Sequence, residues 1–187
     1  MDVNPCRGIR KPSKGKHRDR VISMHEIRKM LREMGYSRRR RVASTGQAVA
    51  NCMLLALRTG MRAGELCGLT WANVHKMHAH LPDTKSDRPR DVPLSSRARA
   101  ILERMKGWDD ELVFGLRSAS LDALFRKYRM RAELAGFTFH DTRHTAATMI
   151  AKKIDVLDLC KMFGWTDPKM AMVYYNPHGS SIAAKLG

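Results

Sequence analysis

GQAVANCMLLALRT, residues 46–59, is strongly apolar and reads as a helix, and Gly60 directly behind it is a stop signal. A second, short helix is expected at once, from about Arg62 to Gly68. From Leu69 to Leu94 the pattern changes. Trp71, Val74 and Leu81 mark short extended pieces, and DTKSDRPRDVP, residues 83–93, is rich in turn formers. This predicts a small antiparallel sheet whose final hairpin carries Lys85 near its tip.

Helices resume beyond Pro93. Ser95 or Ser96 caps one that runs to about Lys106. Residues 118–135 place Leu121, Leu124, Phe125 and Tyr128 at i, i+3, i+4 and i+7, the spacing of one helical face. Another helix starts near His140 or Asp141 and runs to Lys153. Residues 155–163 and 167–175 suggest two shorter ones, separated by Gly164-Trp165. Upstream, Ser23-Met24-His25-Glu26 is a capping box, which predicts a helix from Met24 to Met34 ended by Gly35. The expected fold class is mainly α with one small antiparallel β-sheet (α+β).

The 187 residues suffice for one globular domain with a real core. Residues 1–20, MDVNPCRGIRKPSKGKHRDR, have little to bury and read as a basic linker or arm. The ordered domain is expected over 21–178, with a tail over 179–187. A chain that starts on a linker suggests the downstream part of a longer protein. There are 35 Lys and Arg against 18 Asp and Glu, a net charge of +17. Such an excess is self-repelling and calls for a polyanion, so nucleic acid is the expected partner. Lys11, Lys14 and Lys16 in the arm, and Arg38, Arg39, Arg40 and Arg41 between helices, are candidate phosphate contacts. Cys6, Cys52, Cys67 and Cys160 form no C-x-x-C pair, which argues against a zinc knuckle or a disulfide framework. The last three sit among apolar residues and read as buried thiols. No apolar run reaches the length of a membrane span, so no membrane partner is expected and a cytoplasmic location is.

Three stretches offer chemistry. In Thr59-Gly60-Met61-Arg62-Ala63-Gly64-Glu65-Leu66, Arg62 opens a helix after a glycine stop. Backbone N–H groups and a guanidinium together suit an anion there, and Glu65 on the same face can hold Arg62 in position. In Phe139-His140-Asp141-Thr142-Arg143-His144-Thr145, His140 and Arg143 at i, i+3 can reach one group, the first moving protons and the second holding two phosphate oxygens. His140 and His144 around an acid also resemble a zinc pattern, but Asp141 is short, Arg143 would stand beside the metal, and no third ligand follows. His144 reads better as a packed or capping histidine. His75, His78 and His80 lack a carboxylate or cysteine nearby in sequence and read as solvated strand and turn residues. The third stretch is Met162-Phe163-Gly164-Trp165-Thr166-Asp167-Pro168-Lys169-Met170-Ala171-Met172-Val173-Tyr174-Tyr175. A phenol is a weak nucleophile at neutral pH, and clustered cations can correct that.

Taken in order, TGMRAGEL, DTKSDRPRDVPL, FHDTRHT and FGWTDPKMAMVYY resemble the catalytic domain of tyrosine recombinases, the phage-integrase family, over about residues 20–178. The resemblance implies a site-specific DNA recombinase that works through a 3′-phosphotyrosyl intermediate without metal, ATP or other cofactor. It implies Tyr174 as nucleophile, nine residues after Trp165, and Arg62 and Arg143 on the non-bridging oxygens. His140 would bond the phosphate or carry the nucleophile's proton. Lys85 would protonate the leaving 5′-oxygen. Trp165 stands where the family more often has histidine. Glu65 and Asp141 are expected behind these groups, holding them in place. The resemblance further implies an upstream core-binding domain, dimers and tetramers on DNA, and in some cases accessory DNA-bending proteins. The tail after Tyr174 is a candidate for packing on a neighbouring protomer. A DNA-binding protein on the same scaffold that no longer cleaves is the alternative.

Overall fold

The computed structural model describes residues 20–82 and 89–184; the arm lysines Lys11, Lys14 and Lys16, and Lys85, lie outside the described residues. The elements run α1 (Met24–Glu33), α2 (Thr45–Thr59), α3 (Ala63–Cys67), a 3-10 turn (Trp71–Asn73), β1 (His78–Leu81), β2 (Arg90–Pro93), α4 (Ser96–Met105), α5 (Ser118–Arg131), α6 (Asp141–Ile150), α7 (Val156–Phe163), α8 (Lys169–Met172) and α9 (Gly179–Ala183).

Helix α2 is the hub. Ala48, Val49, Ala50, Cys52, Met53, Leu55, Ala56 and Leu57 are all buried, so most of the helix surface is enclosed, and the stripe of Gln47, Leu54 and Arg58 is partly exposed. It packs against α6 and α4, and also against α5, α3 and α1. Each fully buried Leu or Met there contributes about 1.5–3 kcal/mol of transfer free energy. Gly60 ends the helix at φ 68°, and a Cβ at that position would lie 2.3 Å from the Phe163 ring. Glycine is therefore required both by the backbone turn and by the close approach of α7. Burial, with the Asp122 charge second, pushes the Cys67 thiol up to about 11. Cys52 is fully buried and pushed up further, by desolvation and then by Cys67.

The sheet has two antiparallel strands, paired His78 with Pro93 through Leu81 with Arg90. Ala79 and Val92 point into the core while their neighbours are more exposed, the alternation of a one-sided sheet. Helix α7 packs against β2 and so brings the chain's last third onto the sheet.

Several boundaries differ from the sequence reading. Trp71 belongs to a 3-10 turn whose flanks are extended: Thr70 bridges Leu112 and Val74 bridges Ala79. Helix α5 stops at Arg131, since Glu133 takes a left-handed φ of 55°. Helix α6 stops at Ile150, where Ala151 caps it and Lys153 turns back onto the Ile150 carbonyl. Helix α8 covers only Lys169–Met172, and Tyr174 follows in a tight turn bonded to Ala171. The tail contains α9, which composition did not suggest. No described helix is long and apolar enough to cross a membrane.

Candidate active site

Arg62 is the extended N-cap residue of α3. The Glu65 carboxylate accepts its backbone N–H at 2.7 Å and its Nη1 at 2.9 Å. The same carboxylate accepts Arg90 Nη2 at 2.7 Å, and Arg90 Nε donates to the Met162 carbonyl at 3.2 Å. Both side chains of this second pair are buried, Arg90 at 7% and Glu65 at 8% exposure. A buried pair of this kind is stable only when its remaining valences are satisfied, and here they are bonded to Arg62 and to the end of α7. Burial works against the charged form of Glu65. The Arg62 amide, the charge and hydrogen bond of Arg90 and the charge of Arg62 outweigh it, and hold the carboxyl below its ordinary value.

Arg143 lies on α6 with 6% of its surface exposed. Its Nη1 donates to the Gly60 carbonyl at 2.6 Å and its Nη2 to the Phe163 carbonyl at 2.7 Å. Its guanidinium carbon sits 4.9 Å from the Phe163 ring centre and 5.6 Å from that of Trp165. One guanidinium thus joins the turn before Arg62 to the turn before Trp165. Both carbonyls belong to helix ends, where acceptors lack intrahelical partners. Asp141 is fully buried at the start of α6, and its Oδ2 accepts the N–H of Thr138 at 2.6 Å and the Thr138 hydroxyl at 3.0 Å. It fixes the entry of the helix that carries His140, Arg143 and His144. His140 is the exposed N-cap residue, with its ring 5.1 Å from that of His144 and edge-on to it.

The last stretch folds onto this frame. Gly164, in the left-handed region, reverses the chain after α7, and a Cβ there would meet Arg90 at 3.1 Å. Trp165 stacks on Phe163 at 4.7 Å and on Tyr174 at 5.5 Å, the second pair within 4° of parallel. The Tyr174 hydroxyl lies 2.5 Å from His144 Nδ1. Tyr174 and His144 open onto a groove of about 760 Å³, which Lys152, Lys153, Tyr175 and His178 also line.

The structure therefore brings together Arg143, His140, Trp165 and Tyr174, with Arg62 two residues beyond the Gly60 carbonyl that Arg143 holds. Glu65 and Asp141 stand behind them. Arg38, Arg39, Arg40 and Arg41 are exposed on the α1–α2 connection. Two residues went unrecognised in the sequence. Arg90 carried no readable signal, because a buried arginine is the exception for its type. His144 did carry one: it shares a helix face with His140, four residues earlier, and it packs against the Tyr174 ring with its Nδ1 at the hydroxyl. His80 Nδ1 and Asp91 Oδ1 are hydrogen-bonded at 2.8 Å across the strands, so the histidines of β1 do have a carboxylate neighbour. Its hydrogen bond with His80 and its position among the three histidines keep Asp91 below its ordinary value. Among the described residues, no group of three or more histidines, cysteines and acids is arranged to hold a metal ion.

The model of the phage integrase family matches residues 20–180. The chain belongs to the phage integrase family. A Haemophilus influenzae protein named integrase/recombinase is 40% identical over 191 residues, covering all of this chain and 62% of its own length. A shufflon-specific DNA recombinase of Escherichia coli is 31% identical over 98% of this chain and 47% of its own. The chain thus spans about half to three-fifths of the length of these relatives. Its fold is that of integrase catalytic domains. The catalytic domain of bacteriophage HP1 integrase superposes with a TM-score of 0.67 at 23% identity, covering 88% of this chain and 93% of that one. A lambda integrase dimer bound to a COC′ core site gives 0.70 at 21% identity, covering 89% of this chain and 62% of that one.

Proposed function

We propose that this phage integrase family member cuts and rejoins double-stranded DNA at specific sites, through a 3′-phosphotyrosyl bond to Tyr174. The observation that carries the reading is the seating of Tyr174: its ring is stacked on Trp165, and the buried Arg143 guanidinium lies against that same stack. A phosphodiester gains negative charge on the way to its pentacoordinate transition state. A guanidinium already fixed by two carbonyls stabilises that charge without reorganising, an effect worth on the order of 100-fold per contact. Arg62, held by Glu65, supplies the second guanidinium. His140, exposed at the start of α6, is assigned the phosphate contact. Lys85 is assigned the proton for the leaving 5′-oxygen. Trp165 cannot take a proton, so its part is to stack and to donate an indole N–H. These groups supply the charge and the protons themselves, so neither a metal nor ATP is assigned to the step. The bond energy is kept in the phosphotyrosine until a partner 5′-hydroxyl attacks.

Residues 21–178 are assigned the catalytic role, with residues 1–20 as an arm on DNA. Lambda integrase is described as a dimer on a core site and as a tetramer on a Holliday junction. By analogy this chain is proposed to assemble on DNA as dimers and tetramers within a longer protein, with accessory DNA-bending proteins in some reactions. Such a protein acts in the bacterial cytoplasm, where the chromosome is.

The test is incubation with a nicked suicide duplex, followed by a denaturing gel. A covalent protein–DNA band should form in the presence of chelator, and Tyr174→Phe should lose it while still shifting the DNA in a native gel. Binding with no band from the unaltered chain would overturn the cleavage assignment and leave a DNA-binding protein.

A further inference from the structure

We infer that His144 holds the Tyr174 hydroxyl and takes its proton as cleavage begins. The inference rests on the reading of Tyr174 as nucleophile and names the acceptor that this reading leaves open. His144 Nδ1 is 2.5 Å from the hydroxyl, the length of a strong O–H···N bond. The two side chains come from α6 and from the turn after α8, thirty positions apart in sequence. Each is fixed from behind. The Tyr174 ring is pinned by its parallel stack on Trp165. The His144 ring is met edge-on by His140, at 5.1 Å. His140 caps the helix at its exposed start, whereas His144 lies one turn further in, against the phenol.

The proton balance is complete. The neutral imidazole carries its hydrogen on Nε2, and Nδ1 accepts the phenol hydrogen bond. As the Tyr174 oxygen forms its bond to phosphorus, the O–H bond breaks and the proton passes to Nδ1. The bond from phosphorus to the 5′-oxygen breaks, and that oxygen is protonated by a separate acid, the role assigned to Lys85. In rejoining, a 5′-hydroxyl attacks the phosphotyrosine and His144 returns its proton to the phenol oxygen. Among the described residues, the charged and titratable groups near His144 include Tyr174, His140 on its own helix, Lys152 and Lys153 beyond it, and Tyr175 and His178 across the groove. The division of labour follows: His144 serves the nucleophile, and His140 is left for the phosphate.

Single-turnover cleavage of the suicide duplex tests this with His144→Ala and His144→Asn. Loss of a positioned general base costs about 100-fold or more in rate. His144→Ala should show that loss with DNA binding and circular dichroism unchanged. His144→Asn places an amide near the Nδ1 position and fills most of the space, yet takes no proton, so it should be equally slow. A duplex with a 5′-bridging sulfur, which leaves without an acid, should not restore either variant. Wild-type cleavage by a folded His144→Ala, rescue by asparagine, or rescue by the sulfur would each overturn the inference. The contact itself is read without DNA, from the ring nitrogen shifts of His144 by NMR. Tyr174→Phe should move the Nδ1 resonance; an unchanged ring refutes the contact. If the unaltered chain forms no adduct while that resonance moves, the functional reading fails and the contact stands.

Discussion

Trp165 shows how much one side chain settles. It is sandwiched between Phe163 and Tyr174, and the Arg143 guanidinium lies over both Phe163 and Trp165. Aromatic pairs of this kind contribute about 0.5–1.5 kcal/mol beyond their buried area. The larger consequence is positional, since a 1 Å displacement of a reacting group costs about 100-fold. Trp165→Ala should therefore slow adduct formation by about that factor, and Trp165→Phe, which keeps a stacking face, should recover most of it in the same single-turnover assay. Arg143→Lys keeps the charge but replaces a fork with a point donor that cannot span the Gly60 and Phe163 carbonyls. Cleavage should fall on the order of 100-fold, and the urea midpoint should fall with it. At Gly60, alanine meets both a left-handed backbone and the Phe163 ring, and should cost about 1–3 kcal/mol in urea unfolding. At this scale the sequence was legible where residue type and chemistry coincide. Arg62, Arg143 and His140 stand at helix starts, and Tyr174 was marked by its place in the family motif. The partner of the phenol was not legible, because helical spacing gives a shared face and not what lies opposite it.

Among the elements, β2 carries more than its four residues suggest. Arg90 reaches from it to Glu65 under α3 and to the Met162 carbonyl at the end of α7. Strand β2 is thereby tied to both the Arg62 turn and the Trp165 turn. Arg90→Ala leaves Glu65 buried without this partner and should destabilise the fold by about 3–5 kcal/mol. Arg90→Lys should recover part of that, since it restores the charge and one hydrogen bond. Glu65 is held below its ordinary value near 4.5 when folded. A depressed carboxyl contributes stability above its unfolded value and loses it as pH falls through the folded one. The stability gap between the wild type and Glu65→Gln should therefore be widest above about pH 5 and should shrink on acidification below that, measured by urea unfolding at fixed salt. The helices themselves were readable from caps and periodicity: Ser23 and Ser95 accept the expected N-terminal amides, while the Ser44 and Asp155 caps of α2 and α7 were not foreseen. Their C-terminal ends were less so. Helices α5 and α6 stop short, at Arg131 and Ile150, where Glu133 takes a left-handed φ and Lys153 turns back onto the Ile150 carbonyl.

For the whole molecule, the decisive quantity is charge. A surplus of 17 positive charges on 187 residues opposes folding to a compact state, and on DNA its Lys and Arg side chains would displace the counterions condensed on the phosphates. The logarithm of DNA affinity should fall linearly with the logarithm of salt, with a slope of about −0.9 per phosphate neutralised. A flat response in a binding titration would contradict the DNA assignment. Helix α9 leaves Ile182 46% exposed, and packing on a neighbouring protomer would cover it. Removing residues 179–187 should then weaken tetramers on DNA in analytical ultracentrifugation; unchanged assembly would refute that role. The central claim is chemical, and mass spectrometry tests it most directly. The adduct formed on a suicide duplex is digested with nuclease and trypsin, and the peptide running from Met170 to Lys185 is fragmented. The nucleotide mass should sit on Tyr174 alone. Its appearance on Tyr175 or on any other residue would contradict the placement of Tyr174 as the attacking group.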